Sequence, residues 1–412
     1  MSEHRNTEEK IIITKIRPQI SGQDRLFCCL LQNEKLIEAV CAQASGGLRP
    51  GEIRLGRVQK VLKGLNAAFV EVQPGAACYL PLEKAKHPVF SKKMPSEKVV
   101  QGDELLVQIT KEADGTKLAA ATTNLSFSGH YLVVTNENRF LSFSKKLTDG
   151  RKAELKQLLT AYDAYDPQEF GLIVRTNAQG APDEAILQEY KALAERMKNL
   201  LRTARYRTCY TCFTPEAPFY LSYLKNAYTD RLTEIVTDDP DVYRELADYI
   251  CRYPDCGKIA LRFADTDYPL SKAYNLEREI ERALSRIVHL PCGGYLVIDP
   301  TEAMTVIDVN SGKSTGTKDK AKHFAKVNRE AAAEIARQLR LRGLSGIIIA
   351  DFINMETDEE RTDLLHYLRA CLSRDPVPTQ VVDITKLGLV EITRRKSVRS
   401  LKEQLQSKTD NP

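Results

Sequence analysis

Two apolar segments of this sequence each run into a single aspartate. One reads Met304-Thr-Val-Ile-Asp308-Val-Asn310, and the other reads Ile347-Ile-Ile-Ala-Asp351. Mg²⁺ binds through one or two protein carboxylates, several waters and the phosphate oxygens of a substrate. A bound ion of this kind activates a water molecule and neutralises charge that develops on a phosphate. The two aspartates are therefore candidates for metal-assisted chemistry on a phosphate.

The elements around the aspartates must bring them together. Each segment is β-branched and nearly free of charge, which predicts a buried strand with its acid near the C-terminal end. A long amphipathic helix separates them, so we expect neighbouring strands joined by a crossover, with both carboxylates at the sheet edge. Asn310 follows Asp308 on the same strand face and could orient a carboxylate or donate to a phosphate, and Lys313 could add a positive charge. The alternative is that both aspartates only cap loops after buried strands.

The segment Gly312-Lys-Ser-Thr315 offers a second interpretation, as part of a nucleotide-binding loop. A Walker A loop requires a glycine five residues before Gly312. That position is Ile307, inside the predicted strand. We therefore expect no NTP-binding loop here.

Length and composition limit the class of protein. The chain has 412 residues, a net charge of +5 and 42% hydrophobic residues, which predicts a soluble globular protein of about two to four domains. No apolar run approaches the roughly 20 residues of a membrane span, and the polar N-terminus fits neither a signal peptide nor a transit peptide. We expect a cytoplasmic protein with no membrane span and with reduced cysteines.

One cysteine pair, Cys209-Tyr-Thr-Cys212, has a spacing seen in metal sites, and Cys251 and Cys256 follow it. A structural zinc site needs four ligands, and the second pair has the wrong spacing for a zinc ribbon. We expect structural thiols here rather than zinc.

Two groups of cations are concentrated near the C-terminal third of the chain. The first closes the long helix and the second lies in the C-terminal segment: Arg337, Arg340 and Arg342, then Arg394, Arg395, Lys396, Arg399 and Lys402. Cations at a helix end interact favourably with the helix dipole, so the first group predicts a solvated helix end. The second group is either solvated in the same way or a patch for a polyanion.

The order of strand-like and helix-like runs predicts several modules. Residues 11–42 predict a three-stranded meander with a turn at Asn33-Glu34, and residues 52–123 predict a small barrel of five strands. Strands and helices alternate over 126–218 and 219–285, where the last helix is predicted at 276–287. A hairpin at 294–308, helices at 318–342 and 357–373, and strands at 346–351, 379–384 and 389–393 then predict a mostly parallel sheet with covered faces.

The predicted barrel carries Phe69 and Tyr79, with Lys111 and Lys117 on later strands, and its pattern resembles an S1-type OB-fold. These side chains could stack on and attract single-stranded nucleic acid. The alternative, which composition alone favours, is that the two aromatic rings lie in the barrel core.

Longer strings of the sequence resemble the ribonuclease E/G family of bacterial endoribonucleases. They are the segment from Gly293 to Gly312, the segment from Glu334 to Arg342 and the run from Gly346 through Asp351, and the resemblance extends to about residue 400. It implies an α+β and α/β multidomain fold. Its parts are a ribonuclease H-like subdomain (1–47 and 219–285), an inserted S1-type OB-fold (48–125), a 5′-sensor domain (126–218), a deoxyribonuclease I-like catalytic domain (286–400) and a polar tail (401–412).

The resemblance also implies an activity, which is magnesium-dependent cleavage of single-stranded RNA. The expected products carry 5′-phosphate and 3′-hydroxyl ends, 5′-monophosphorylated RNA is preferred, and the role is rRNA processing or mRNA decay. By motif position the expected sites are one Mg²⁺ on Asp308 and Asp351, a phosphate-positioning amide on Asn310, a 5′-phosphate pocket of Arg175, Thr176, Gly129 and Val133, and RNA contacts from Phe69, Tyr79, Lys111, Lys117 and Lys313.

Three departures from the family pattern affect these expectations. The family carries Cys-Pro-x-Cys after the catalytic domain, where two subunits share zinc, but residues 392–402 contain no cysteine, so a homodimer would not be mediated by zinc. Asn354 replaces a common acid, and Lys145-Lys146 replaces an arginine pair, which keeps the charge but loses bidentate geometry. The alternative function is a non-catalytic or weakly catalytic RNA-binding protein on the same fold.

Overall fold

The computed structural model describes residues 8–42, 47–92, 98–113, 117–137, 139–161, 169–214, 218–226, 231–253, 258–265, 268–312, 320–355, 357–396 and 399–406. The chain forms two compact units. Unit 1 consists of Met1–Ala44, Arg231–Glu245 and Ile259–Pro412, and unit 2 consists of Ser45–Asp230 and Leu246–Lys258. The finer domain boundaries expected from the sequence stay a prediction.

Strands and helices are numbered in chain order. The strands are β1 (Glu9–Ile16), β2 (Arg25–Gln32), β3 (Lys35–Cys41), β4 (Ile53–Leu62), β5 (Ala67–Gln73), β6 (Ala76–Pro81), β7 (Glu104–Lys111), β8 (Ala119–Thr122), β9 (Ser126–Ser128), β10 (Leu132–Thr135), β11 (Leu141–Phe143), β12 (Gly171–Val174), β13 (Leu232–Thr237), β14 (Ala260–Phe263), β15 (Ile287–His289), β16 (Tyr295–Pro300), β17 (Met304–Asn310), β18 (Gly346–Asp351), β19 (Thr379–Ile384) and β20 (Val390–Arg394). The α-helices are α1 (Asp149–Ala161), α2 (Asp183–Thr203), α3 (Phe219–Asn226), α4 (Pro240–Arg252), α5 (Leu270–Ala273), α6 (Leu276–Leu284), α7 (Lys320–Arg342), α8 (Asp358–Leu372) and α9 (Leu401–Gln406).

The first sheet of unit 1 has the strand order β14-β13-β1-β2-β3. Its central strand contains Ile11, Ile12 and Ile13, each at most 1% exposed, so β1 is buried on both faces. The β2–β3 turn places Asn33 and Glu34 at φ 48° and 62°, which a tight two-residue hairpin requires. The predicted meander with its Asn33-Glu34 turn is confirmed.

The second sheet of unit 1 has the order β15-β16-β17-β18-β20-β19. Among its described strands, the β17–β18 pairing is parallel and the other pairings are antiparallel. The prediction of a mostly parallel sheet is therefore wrong. Short hairpins join β16 to β17 and β19 to β20, whereas a parallel pair needs a long crossover such as α7. The helix predicted at 276–287 is also too long, because α6 ends at Leu284 and β15 begins at Ile287.

One face of this sheet packs on helices and the other is open. Ile307 and Ile348 are fully buried and belong to one core cluster with Ile335 of α7 and Leu368 of α8. On the opposite face, large apolar side chains are 37–49% exposed: Met304, Val306 and Ile347. The expectation that both faces are covered is wrong, since α7 and α8 lie on the same side. Strand alternation then decides which side chains of β17 and β18 are open to solvent.

The arginines that close α7 are fixed by contacts within unit 1. Arg337 Nη1 donates to the Leu36 carbonyl at 2.6 Å, and Arg340 Nε lies 2.9 Å from Glu38 Oε2. Arg342 is only 7% exposed. The predicted solvated helix end is therefore wrong, because these cations join α7 to β3 and to the core.

The C-terminal cations do not form one continuous patch. Arg394 is 5% exposed, its Nε lies 2.7 Å from Asp375 Oδ2, and its Nη1 donates to the Leu344 carbonyl at 2.9 Å. Arg395 and Lys396, by contrast, are exposed. Arg394 thus stabilises the fold, whereas the exposed Arg395, Lys396 and Lys402 are accessible to a polyanion.

Helix α9 packs back on the first sheet of unit 1. Gln404 is 4% exposed, its carbonyl accepts from Arg25 Nη1 at 2.7 Å, and its side-chain oxygen accepts from the Cys41 backbone N–H at 3.2 Å. Contacts between residues far apart in the sequence thus cover the edge of the first sheet at β3.

Unit 2 contains a closed barrel with the strand order β4-β5-β6-β8-β7. Its interior is filled by apolar side chains that alternate along the strands, among them Val58, Val70, Leu80, Leu105 and Val107. The predicted five-stranded barrel is confirmed, and the chain has the mixed α and β architecture expected of it.

A four-stranded sheet of order β11-β12-β10-β9 forms the rest of the unit 2 core. Leu172 and Val174 of β12 share a core cluster with Ile186 and Met197 of α2 and with Leu155 of α1. The predicted alternation of strands and helices is confirmed here. The three-residue strands β9 and β11 were not predicted, because they are too short to show a two-residue period.

The described cysteines are all free, with Cys28, Cys29 and Cys41 buried and Cys212 exposed. Cys209 Sγ lies 3.8 Å from the Leu55 carbonyl, and Cys256 lies outside the described residues. Within the described part of the chain, no helix is both long enough and apolar enough to cross a bilayer.

Candidate active site

Asp308 and Asp351 are direct neighbours across the β17–β18 pair. The two strands run parallel, and the register pairs Asp308 with Asp351. Both side chains are exposed, on the face opposite α7 and α8. Because paired residues of adjacent strands point to the same face about 4.8 Å apart, their carboxylates stand side by side. The predicted placement at neighbouring strand ends is confirmed.

Asn310 completes this group. It is half-buried, and its Nδ2 donates to Asp308 Oδ2 at 2.8 Å. This contact orients the Asp308 carboxylate and leaves the other oxygen of that carboxylate available.

Glycine is required two residues after Asn310. Gly312 has φ 69°, and a Cβ at this position would lie 2.3 Å from the Gly293 carbonyl oxygen. The loop between β15 and β16 therefore packs directly against the chain that leaves β17. A larger residue at Gly312 would displace the strand end that carries Asn310.

The donor set fits a hard divalent cation. Neither Asp308 nor Asp351 forms an ion pair with a described lysine or arginine, so two like charges face each other across adjacent strands, which is unfavourable without a cation. The described residues contain no cluster of three or more His, Cys, Asp or Glu side chains suited to a metal. Two carboxylates and an amide, with the remaining positions open to water or phosphate, match the coordination that Mg²⁺ prefers. Lys313 lies outside the described residues, and Asn354 is exposed in the loop after β18.

On the barrel, strand register aligns Phe69, Tyr79 and Lys111 in one row. Phe69 pairs with Tyr79, Tyr79 pairs with Ala120, and Ala120 pairs with Lys111. The two aromatic rings are half-buried, with centroids 6.3 Å apart and planes tilted by 58°. The prediction from composition that they lie in the core is wrong, because the neighbouring residues Val70 and Leu80 fill the interior instead.

The row extends to Lys60, which the sequence analysis missed. Lys60 is exposed on β4 and pairs with Phe69. Lysines thus stand at both ends of the row, Lys60 on one side and Lys111 on the other. The exposed Lys117 precedes β8. A two-residue strand period could have indicated Lys60, but only the pairing register places it beside Phe69.

Tyr210 is a second residue that was missed. It has φ 73°, a left-handed conformation that is rare outside glycine, and its hydroxyl donates to Glu71 Oε2 at 2.5 Å. Glu71 follows Phe69 by two residues on the same strand face. The two cysteines on either side of Tyr210 were expected to be structural thiols, and the structure also uses this turn to place a tyrosine on the barrel.

The residues expected to sense a 5′-phosphate meet at β10 and β12. Arg175 Nη1 donates to the Gly129 carbonyl at 2.6 Å, and the Thr176 hydroxyl lies 2.8 Å from that of Ser144. Val133 is half-buried and pairs with Ile173, two residues before Arg175. Burial lowers the pKa of the Arg175 guanidinium from its ordinary value. The four predicted residues therefore form one neighbourhood.

Glu189 organises this neighbourhood and was missed by the sequence analysis. It is 8% exposed, and its carboxylate accepts from the backbone N–H groups of His130, Tyr131 and Leu132 at 2.6, 2.8 and 2.8 Å. A Cβ on Gly129 would lie 2.4–2.6 Å from the same carboxylate, so only glycine fits there. No local pattern in α2 distinguishes Glu189 from the exposed glutamates of that helix.

Comparison with known proteins gives a consistent result. The model of the Ribonuclease E/G family matches residues 126–397. The chain is 35% identical to ribonuclease G of Escherichia coli (strain K12) over 370 residues, which is 86% of this chain and 74% of that protein. It is 33% identical to ribonuclease G of Salmonella typhimurium (strain SL1344), over 86% of this chain and 74% of that protein. It is 30% identical to ribonuclease E of Synechocystis sp., over 87% of this chain but only 54% of that protein.

Proposed function

Because this chain belongs to the ribonuclease E/G family and is an endoribonuclease, we propose that it cleaves single-stranded RNA with one Mg²⁺ ion held by Asp308 and Asp351. The proposed products carry 5′-phosphate and 3′-hydroxyl ends. The proposed role is RNA processing or decay, with a preference for 5′-monophosphorylated RNA. The observation that carries this proposal is the in-register pairing of two exposed carboxylates, with Asn310 bonded to one of them.

The proposed mechanism assigns a separate task to each side chain. Asp308 and Asp351 bind the ion, and Asn310 holds Asp308 in the orientation that this requires. The ion, when bound, lowers the pKa of a water molecule and offsets charge on the phosphate. Asn310 also offers its amide to the scissile phosphate, so that the phosphodiester is held in line for attack by water.

RNA binding is assigned to unit 2. The aromatic pair Phe69 and Tyr79 stacks bases, since base–aromatic stacking is worth about 1–3 kcal/mol per base. Lys111 and Lys117, with Lys60 added from the strand register, attract the backbone. Lys313 is also proposed to bind RNA.

The pocket of Arg175, Thr176, Gly129 and Val133 is proposed to bind the 5′-monophosphate. Arg175 is suited to this because a guanidinium can form two parallel hydrogen bonds with phosphate oxygens.

Further parts of the assignment are also proposals. They are the ribonuclease H-like, S1-type and deoxyribonuclease I-like identities of the domains, a cytoplasmic location, and a homodimer that does not depend on zinc. Light scattering after size-exclusion chromatography measures the oligomeric state directly.

Cleavage assays test the metal site. Internal cuts in labelled single-stranded RNA are compared in Mg²⁺ and in EDTA, for the wild type, Asp308→Asn and Asp351→Asn. We expect both substitutions to lower kcat about 1,000-fold, which corresponds to about 4 kcal/mol of transition-state stabilisation, with RNA affinity retained. Asp358→Asn is the control, because Asp358 is an exposed acid of the same unit. Wild-type protein that binds RNA but leaves it intact in Mg²⁺ would instead support the RNA-binding alternative.

The sensor is tested with RNA that differs only at its 5′ end. We expect the wild type to cleave 5′-monophosphorylated RNA faster than 5′-hydroxyl RNA, and Arg175→Ala to abolish that difference. Arg205→Ala, at an exposed position of the same unit, should keep it. A monophosphate preference that persists in Arg175→Ala contradicts the proposed pocket.

A further inference from the structure

An aromatic pair lies beside Asn310 on the open face of the second sheet of unit 1. The strand register pairs His289 of β15 with Tyr295 of β16, and it pairs Tyr295 with Asn310 of β17. Residues that are paired across neighbouring strands point to the same side of a sheet. These three side chains therefore form one row. Asp308 lies on the same side, because it precedes Asn310 by two residues on β17.

Burial along β16 agrees with this orientation. Leu296 and Ile298 are at most 1% exposed and belong to the core cluster that also contains residues of α7 and α8. Tyr295, by contrast, is half-buried, and His289 is exposed. Both rings thus lie on the side of the sheet that faces away from the two helices.

The two rings leave ring faces open. Their centroids are 6.2 Å apart and their planes are tilted by 58°, so neither ring covers the face of the other. Neither His289 nor Tyr295 forms a side-chain hydrogen bond or an ion pair with another residue in the described part of the chain. A further planar group can therefore stack on the pair without displacing a polar contact.

The hairpin that carries the pair is fixed against its neighbours. A Cβ on Gly294 would lie 2.8 Å from the Asn310 carbonyl oxygen, so the hairpin packs closely on the end of β17. The Cys292 N–H donates to Glu330 Oε2 of α7 at 2.9 Å. The rings therefore have a fixed position relative to Asn310 before a ligand binds, which lowers the entropic cost of binding.

The next row of the open face, which contains Asp308, also presents apolar surface. Ile287 pairs with Val297, and Val297 pairs with Asp308. Ile287 is 44% exposed. A phosphate held at Asp308 and Asn310, as proposed above, thus has two rings and two aliphatic side chains on its β15–β16 side. Such a surface suits a nucleobase, because bases stack on aromatic rings.

We propose that His289 and Tyr295 form a stacking platform for the base of a nucleotide that flanks the scissile phosphate. Neighbouring strands are about 4.8 Å apart, so Tyr295 is one strand spacing and His289 is two strand spacings away from Asn310. A sugar and its base extend over that distance from their phosphate. The inference rests on the proposed metal site. The platform holds the phosphodiester in register with the two aspartates, and it accepts any base because every base has a π-face.

The test measures cleavage at a single linkage of a single-stranded RNA in Mg²⁺. The wild type first maps a cut on end-labelled RNA, and the base on the 5′ side or on the 3′ side of that linkage is then replaced by an abasic ribose. The proteins are the wild type, Tyr295→Leu, Tyr295→Phe, His289→Leu and the control Tyr243→Leu. Tyr243 is a half-buried tyrosine of the same unit that also forms an aromatic pair, with Phe263 at a centroid distance of 5.6 Å.

We expect Tyr295→Leu to lower kcat/KM about tenfold on RNA with all its bases, which corresponds to about 1.4 kcal/mol. On RNA that lacks the stacked base, Tyr295→Leu and the wild type should cleave equally. The abasic position that removes the difference identifies the stacked nucleotide. His289→Leu should show a loss with the same dependence on the base. Tyr295→Phe should recover the lost rate because it restores the ring, and Tyr243→Leu should cleave like the wild type.

The proposal is overturned if Tyr295→Leu cleaves RNA with all its bases as fast as the wild type does. It is also overturned if Tyr295→Leu loses the same factor on both abasic RNAs, which indicates that the ring only stabilises the hairpin. Circular dichroism of each variant shows whether it is folded.

Failure of the metal-site proposal is a different result, in which the wild type leaves RNA intact or Asp308→Asn cleaves as fast as the wild type. The platform is then tested in EDTA with 2-aminopurine, a base analogue whose fluorescence falls when it stacks, placed at one RNA position at a time. Quenching by the wild type that is lost in Tyr295→Leu and kept in Tyr295→Phe supports the platform. Equal quenching by all three proteins contradicts it.

Discussion

Replacing Glu189 by glutamine tests how the sensor neighbourhood is held together. In the wild type, Glu189 Oε1 accepts from His130 N–H, and Oε2 accepts from the N–H groups of Tyr131 and Leu132. Glutamine has one side-chain oxygen. In its best orientation it keeps the two contacts at Oε2 and turns its NH₂ group toward the His130 N–H, so that two donors face each other.

The expected cost follows from these contacts. One hydrogen bond to a charged group is lost, worth about 1.5–3 kcal/mol, a buried donor is left without an acceptor, and the remaining two bonds become weaker. We expect Glu189→Gln to lower the free energy of unfolding of unit 2 by about 3 kcal/mol. With a urea m-value of about 3 kcal/mol/M, the midpoint falls by about 1 M.

Urea titration followed by circular dichroism measures this shift. Glu195→Gln is the matched control, because it makes the same chemical change on the same helix at an exposed position, where about 0.5 kcal/mol or less is expected. The Gly129 carbonyl that accepts from Arg175 belongs to the same loop, so Glu189→Gln should also reduce the preference for 5′-monophosphorylated RNA. A midpoint equal to that of the control, with the preference intact, would refute this reasoning.

Three further predictions concern stability. Gly129→Ala should lower the free energy of unfolding by about 1–3 kcal/mol in urea titration, because its Cβ would lie 2.4–2.6 Å from the Glu189 carboxylate. Arg394→Met should lower the free energy of unfolding by about 3–5 kcal/mol, because it leaves Asp375, whose side chain is 4% exposed, without its cation. The double variant with Asp375→Leu should recover much of that lost stability. Burial raises the pKa of Glu104, but hydrogen bonds from Arg57 and Lys92 outweigh it, so the pKa is lowered from 4.5. Its stabilisation is therefore present above pH 4.5 and lost as the pH falls through the folded pKa, and urea midpoints measured against pH should show a smaller acid loss in Glu104→Gln.

Much of the fold could be predicted because its signals are local. The isoleucine run of β1 and the Asn33-Glu34 turn depend on residues within a few positions of each other, and both were predicted correctly. The sheet containing β17 was misjudged, because the strand sequences do not reveal that β20 inserts between β18 and β19. The order of strands in a sheet depends on which sheet edge is still unpaired when the next strand joins it. The composition of that strand does not show this.

The residues of the candidate site likewise divide into those that the sequence could identify and those that it could not. Asp308, Asn310 and Asp351 could be selected because each follows a buried strand pattern. Lys60 and Glu189 could not, because what distinguishes each is a partner on another strand or helix. Resemblance to a family identifies such a residue only where the family's motifs contain it.

The sequence by itself determined that two aspartates end apolar strands and that a barrel and an α/β module precede them. Tertiary structure decided that Asp308 faces Asp351, that their side of the sheet is open, and that Arg394 is buried while Arg395 is exposed. The physical reason is the range of the interactions. Strand and turn preferences arise from neighbours along the chain, whereas register, burial and charge pairing arise from contacts such as that between Arg25 and Gln404, 379 positions apart.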